Sequence, residues 1–169
     1  MPEKFRRYFL KAKDAKALLR KASEKLGVNL EQIFKTKVNV ELVQTQFAEL
    51  YLVNGKPSLV KIGEDIFPTL VFNEFSASSP KVFIDMGAVP HVCNGADVMA
   101  PGIVRFEGKF RKGDFVLVVD EKHGKSMAIG ETTYDADAAK KATHGIVVRN
   151  VHFVGDKIWN FIKQLDAKT

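Results

Sequence analysis

The sequence predicts an α+β chain in two parts: an N-terminal α/β domain over residues 1–78 and a small mixed β-barrel with two short helices over residues 79–169. Three observations predict it. Apolar residues recur at helical spacing near the N-terminus and give way to strand-like runs from Val38. The stretch SASSP, Ser76 to Pro80, is small, polar and Pro-ended, and reads as a linker. Beyond it lie five or six short apolar runs, closely spaced and separated by turns, which suit a barrel rather than a βαβ fold.

In the first part, Lys4 to Phe9 predicts a short strand. Asp14 stands as N-cap ahead of AKALLRKASEKL, and Gly27 follows as the residue past the helix end. Ala15, Leu18, Leu19, Ala22 and Leu26 fall three and four apart and form one apolar face. Lys13, Lys16 and Arg20 line another face, with Lys21 and Lys25 beside it. Asn29 caps a short helix, LEQIF. ELVQTQFAELYLVNGKPSLVKI then reads as two strands and an Asn54-Gly55 turn into a third. Glu64-Asp65 reads as a polar loop, followed by the apolar, Pro-marked FPTLVFNEF.

In the second part, KVFID is a buried strand and GAVPHVCNG one or two helical turns. GIVRFEG, FVLVVDE, SMAIGETTY and GIVVRNVHF are strands, with turns at RKGD and KHGK. Asp135 caps the helix DADAAKKATH, which Gly145 stops, and Trp159 closes the domain. No internal repeat or low-complexity tract interrupts this pattern.

Hydrophobic residues make up 46% of the chain, enough to build a core. No uncharged run reaches the ~18 residues of a membrane span. MPEKFRRYF lacks the apolar centre of a secretory signal. A lone Cys forms no internal disulfide and suits a reducing compartment, so a cytoplasmic protein without membrane contact is expected. The net charge of +6 is uneven: residues 1–37 hold 11 Lys and Arg against 4 Asp and Glu. Localised positive charge attracts a polyanion such as nucleic acid, or merely keeps a helix soluble, and charge by itself does not decide between them.

Several chemistries have no support. There is no phosphate loop of dinucleotide or P-loop type and no GxSxG elbow. His91 and Cys93, two apart, point in different directions on a helix, so no metal site and no cofactor are expected. Cys93 reads as a small buried residue and His144 as a cation at a helix end. No spacing argues for a working pair of carboxylates, and the chain is expected not to be an enzyme.

The central stretch DMGAVPHVCNGADVMAPGIVRF, Asp85 to Phe106, is nearly free of charge and rich in small residues. Gly87, Ala88, Gly95, Ala96 and Gly102 leave backbone open to a bulky partner, or else only make the turns tight enough to close a barrel. A short helix starting near Gly87 would also offer free N–H groups to a phosphate.

Residues 82–159 resemble a PUA domain, the RNA-binding module named for pseudouridine synthases and archaeosine transglycosylase. The resemblance rests on VFIDMGAVPHVCNGADVMAPGIVRF, GDFVLVVDE, AIGETTYD and HGIVVRNVHF. Upstream, VELVQTQFAELYLVNGKP and FPTL resemble the domain preceding the PUA module in one family. That family includes the malignant T-cell-amplified-sequence protein, its yeast translation-machinery-associated counterpart and the N-terminal part of ligatin. RNVHFVGDKIW is similar to the end of that family's module.

The resemblance implies a pre-PUA domain followed by a PUA pseudo-barrel, and non-catalytic binding of structured RNA, ribosomal or transfer. In PUA domains RNA lies along the first short helix, the loop after it and a neighbouring strand. That implies contacts at Gly87, Ala88, His91, Asn94, Gly95, Ala96, Asp97, Met99, Pro101 and Gly102. Arg105 could reach a phosphate, and Arg149 and His152 on the last strand are weaker candidates. Lys13, Lys16, Arg20, Lys21 and Lys25 would add phosphate attraction independent of sequence. The family's eukaryotic members act on the small ribosomal subunit with an initiation-factor-like partner. The alternative is an accessory RNA-binding subunit for a tRNA- or rRNA-modifying enzyme.

Overall fold

In the computed structural model, which describes residues 2–34 and 37–168, the N-terminal helical periodicity becomes a helix from Ala12 to Leu26 (α1). It starts earlier than expected. Lys11 takes the N-cap position without a side-chain cap, and Asp14 falls inside the first turn, where its charge still faces the positive end of the helix. Gly27 ends α1 in the left-handed conformation and donates its N–H to Ser23. Ala15, Leu19, Ala22 and Leu26 are buried, as the spacing requires, while Leu18 is only half-buried. Asn29 caps the short helix Leu30–Ile33 (α2) by accepting the Gln32 N–H.

The strands of this region are Arg6–Phe9 (β1), Val40–Gln44 (β2), Glu49–Val53 (β3), Lys56–Ile62 (β4) and Asp65–Pro68 (β5). They form an antiparallel meander in sequence order. Asn54 and Gly55 turn β3 into β4 with φ of 52° and 84°, the positive values that make Asn-Gly the favoured hairpin pair. β5 was not anticipated: Asp65 opens a strand instead of closing a polar loop, because Ile66 and Phe67 find buried places beside β4. α1 leaves the sheet at its β1 edge and packs against β5, at the opposite edge.

Asn73–Ser78 is a helix (α3), so three residues of the expected linker are helical. Phe75 anchors it by burial, and its carbonyl accepts the Ser79 N–H. The chain divides into two units, Met1–Glu74 and Phe75–Thr169.

The second unit holds strands Lys81–Ile84 (β6), Val98–Met99 (β7), Ile103–Glu107 (β8), Phe115–Asp120 (β9), Ser126–Thr132 (β10) and Ile146–Phe153 (β11). Its helices are Val89–Val92 (α4), Ala136–Lys141 (α5) and Lys157–Lys168 (α6). The sheet order is β7-β11-β10-β9-β6-β8, with β6 and β9 parallel and the other pairs antiparallel. β7 and β8 are its two edges, yet only the single 3-10 turn Ala100–Gly102 separates them in sequence. A sheet whose edges stand three residues apart must curl until they nearly meet. The strand spacing predicts a small β-barrel, and the sheet forms it as a curled half-barrel. Val82, Ile84, Val92, Val98, Val116, Val118 and Val148 fill its inside.

Two details differ from expectation. Asp135 occupies the N-cap of α5 but spends its carboxylate on the Lys112 N–H at 2.7 Å, tying the helix to the RKGD turn. α6 is a full helix where only a closing Trp159 was foreseen. Asp156 accepts the Trp159 N–H at its start, and Ile158, Phe161, Ile162 and Leu165 are buried along one face.

Candidate nucleic-acid interface

The interface begins where β6 ends. Asp85 donates its N–H to the Gly102 carbonyl at 2.9 Å, and its Oδ1 accepts the Ala88 N–H at 2.8 Å. This turn brings Ala88 against Gly102 so closely that a Cβ on Gly102 would stand 3.2 Å from the Ala88 methyl. The free N–H groups expected for phosphate are therefore reduced: Asp85 occupies that of Ala88, and Pro90 has none. Gly87 stays exposed, and a Cβ there would stand 3.4 Å from the Asp85 carboxylate.

The loop after α4 is tied down from both sides. The His91 carbonyl accepts the N–H groups of Asn94 and Ala96, and Val92 accepts that of Gly95. From β11, Asn150 donates its side-chain amide to the carbonyls of Val92 at 2.9 Å and Ala96 at 3.0 Å. The Asn150 N–H returns to Asp97 Oδ1 at 2.8 Å. Gly95 sits at φ 95°, and a Cβ there would meet the Phe153 ring at 3.3 Å, so only glycine fits without strain. His91, Asn94, Gly95 and Ala96 remain exposed while their backbone is fixed. Met99 and its cross-strand partner Ile146 form an exposed apolar pair beside them, and Pro101 is exposed too.

Sequence reasoning missed Asn150, 54 residues from Ala96, and Asp85 as a capping acid. Asp85 carried a readable signal, an Asp three residues before a Pro-marked helix start, whereas Asn150 carried none. Asp97 faces its own backbone partner, which makes it a brace for the loop.

The remaining candidates scatter. Arg105 lies on β8 with its guanidinium 3.6 Å above the Phe83 ring, and its Nη2 is 3.7 Å from Glu107. Arg149 stands opposite Glu131 in the β10–β11 register. Being adjacent to Asn150 on a strand, it projects from the other face and does not join the α4 loop. His152 is fully buried, its Nδ1 2.8 Å from Asp156 Oδ2, and so offers nothing to a ligand on the surface. Burial pushes the Cys93 thiol up, which keeps it protonated. Among the described residues, no cluster of three His, Cys, Asp or Glu side chains could hold a metal ion. Among them too, no helix is long and apolar enough to cross a membrane.

In the first unit, Lys13, Lys16, Arg20, Lys21 and Lys25 are all exposed on α1. Lys13 and Arg20 lie opposite the buried stripe and Lys16 on its flank, with Glu24 one turn beyond Arg20 on the same side. Lys21 is turned toward Glu64, with Nζ 3.8 Å from Oε2.

Residues 80–154 match the PUA domain, and residues 6–72 match a domain described as of unknown function, DUF1947. An uncharacterised protein of Methanocaldococcus jannaschii is 40% identical over 157 residues, covering 92% of this chain and 96% of that protein. Translation machinery-associated protein 20 of Saccharomyces cerevisiae is 27% identical, covering 86% of this chain and 85% of its own. The chain belongs to a family of PUA-domain proteins that includes the Methanocaldococcus jannaschii protein. A crystal structure of a PUA-domain protein from Aeropyrum pernix, a tartrate complex, superposes with a TM-score of 0.82 at 27% identity, covering 95% of this chain and 92% of that one. The matched PUA residues include α4, the Asn94–Asp97 loop and β7.

Proposed function

We propose that this PUA-family protein binds structured RNA, ribosomal or transfer, through the surface of α4, the Asn94–Asp97 loop and the Gly87–Gly102 turn. It does so in translation, in the cytoplasm, and without catalysing a reaction. One observation carries the reading: the small, exposed residues Gly87, Gly95 and Ala96 stand on a backbone that Asp85 fixes at Ala88 and Asn150 fixes at Val92 and Ala96. A duplex RNA is met mainly through its backbone shape and 2′-hydroxyls, which need close approach more than long side chains. The basic outer face of α1 supplies attraction independent of sequence. The small ribosomal subunit and an initiation-factor-like protein are the partners this role calls for.

Crosslinking in cells, followed by sequencing of the attached RNA, tests the reading directly. Recovery of small-subunit rRNA or tRNA with ribosomal subunits is the expected result. Recovery with an RNA-modifying enzyme instead would overturn the assignment to translation, and the absence of any RNA would overturn the whole proposal.

A further inference from the structure

The half-barrel leaves a seam. β8 is an edge strand, paired with β6 on one side only, and α5 lies across its free side. Between them runs a groove of about 300 Å³. Ile103, Val104 and Phe106 form one wall, and Ala139 and Ala142 the other. Phe106 is steadied by the Phe110 ring 5.9 Å away, whereas Val104 is 49% exposed. Arg105 and Lys140 stand on the rim. Arg105 is held in place because one face of its guanidinium rests on Phe83, leaving its side chain half exposed.

Each feature constrains the occupant. Apolar walls from both sides favour flat, uncharged faces. A strand edge without a partner offers backbone N–H and C=O groups to a hydrogen-bonding rim. Two cations at the mouth, Lys140 and an Arg105 that Glu107 approaches to 3.7 Å, call for an anion attached to that flat body. A nucleotide has all three properties. The volume lies at the low end for small-molecule sites, so it admits one base and excludes a duplex. The α4 surface, made of small residues, has the opposite character.

We propose that the β8–α5 groove receives one unstacked nucleotide of the bound RNA, with its base between the walls and its phosphate at Arg105 and Lys140. The inference rests on the RNA-binding reading and adds a second, separate contact to it.

The test compares two RNA hairpins by fluorescence anisotropy with the full chain, one fully paired and one carrying a single-nucleotide bulge. The bulged hairpin is expected to bind about tenfold tighter, the usual worth of one stacked base. Val104→Glu and Lys140→Glu, both at exposed positions, should each erase that difference, and Val104→Glu should leave the paired hairpin within about twofold. Equal affinity of the native chain for the two hairpins overturns the groove while the α4 surface stands, as does a difference that survives both substitutions. A strand-shaped peptide as the true occupant would appear as that indifference to the bulge. Failure of both hairpins to bind removes both proposals. If Val104→Glu does not fold, Lys140→Glu decides.

Discussion

Asn150 holds the Ala96 carbonyl at 3.0 Å and the Val92 carbonyl at 2.9 Å with the same side-chain amide. The loop that presents the candidate interface is thus fastened to β11 and not merely folded beside it. Asn150→Ala leaves two carbonyls without their donors and should cost about 1–3 kcal/mol. Asn150→Asp should be at least as damaging, since it sets an acceptor against two acceptors. Urea midpoints of the three proteins check this. In both variants RNA affinity should fall along with stability, and wild-type affinity in a destabilised variant would separate the loop from binding.

Ala96 and Gly95 are neighbours with different tolerance. Ala96 is exposed and engages its surroundings only through backbone, so Ala96→Glu should leave the melting temperature within about 2 °C, as surface changes do. Its negative charge should lower RNA affinity at least tenfold (roughly 1.4 kcal/mol of repulsion and lost contact). Gly95→Ala, by contrast, meets Phe153 at a strained φ and should lose about 1 kcal/mol of stability before any RNA is added. Differential scanning fluorimetry beside anisotropy distinguishes the two effects. Loss of folding in Ala96→Glu would mean that the small residues serve packing alone.

The difference between those two positions shows what the sequence could and could not convey. Short-range rules sufficed for the apolar stripe of α1, the Asn54-Gly55 hairpin and the placing of the small residues around Gly87 and Gly95, because each depends on neighbours a few residues away. Long-range pairing was invisible. Nothing near Asn150 marks it as the brace of a loop 54 residues earlier, and the parallel pairing of β6 with β9 has no local signature. β5 escaped because Glu64-Asp65 looks like a loop until Ile66 and Phe67 are seen buried against β4. α6 was legible in principle, through Asp156 and the spacing of Ile158, Phe161, Ile162 and Leu165, but a single Trp drew the reading instead. The burial of His152 is not legible in the sequence, because beside a bulge a strand's inward and outward faces cannot be told apart.

His152 and Asp156 give a prediction about acid. Burial alone would raise the Asp156 carboxyl, yet the contact with His152 and the N–H donors of Trp159 and Phe153 outweigh it and hold the group below the usual range. A carboxylate depressed in the folded state adds stability above its unfolded value of about 3.9, and that stability is lost as pH falls through the folded value. Asp156→Asn retains an acceptor for the Trp159 N–H but cannot titrate. The native protein should melt well above this variant at pH 7, and the gap should shrink steadily between pH 5 and about pH 2. A gap that stays constant across that interval would show that the depressed carboxyl contributes nothing to folding.

The outer face of α1 makes a quantitative prediction. Each phosphate contact made by a cation releases counterions, so it steepens the fall of affinity with salt by about one logarithmic unit per unit of log salt. Arg20 lies opposite the buried stripe and Lys16 on its flank, and among the described residues no acidic partner holds them as Glu64 engages Lys21. Glu24 offsets part of their field without removing two flexible cations from solvent. Lys16→Ala with Arg20→Ala should therefore lower the magnitude of the salt slope by about 2, while stability changes by no more than ~0.5 kcal/mol per site, since alanine is a strong helix former at exposed positions. Affinity should then drop sharply in dilute buffer and hardly at all in strong salt, where the screened cations contributed little. Anisotropy titrations from 50 to about 400 mM KCl measure that slope. An unaltered slope in the double variant would assign the basic face of α1 to solubility and leave RNA attraction to the PUA unit.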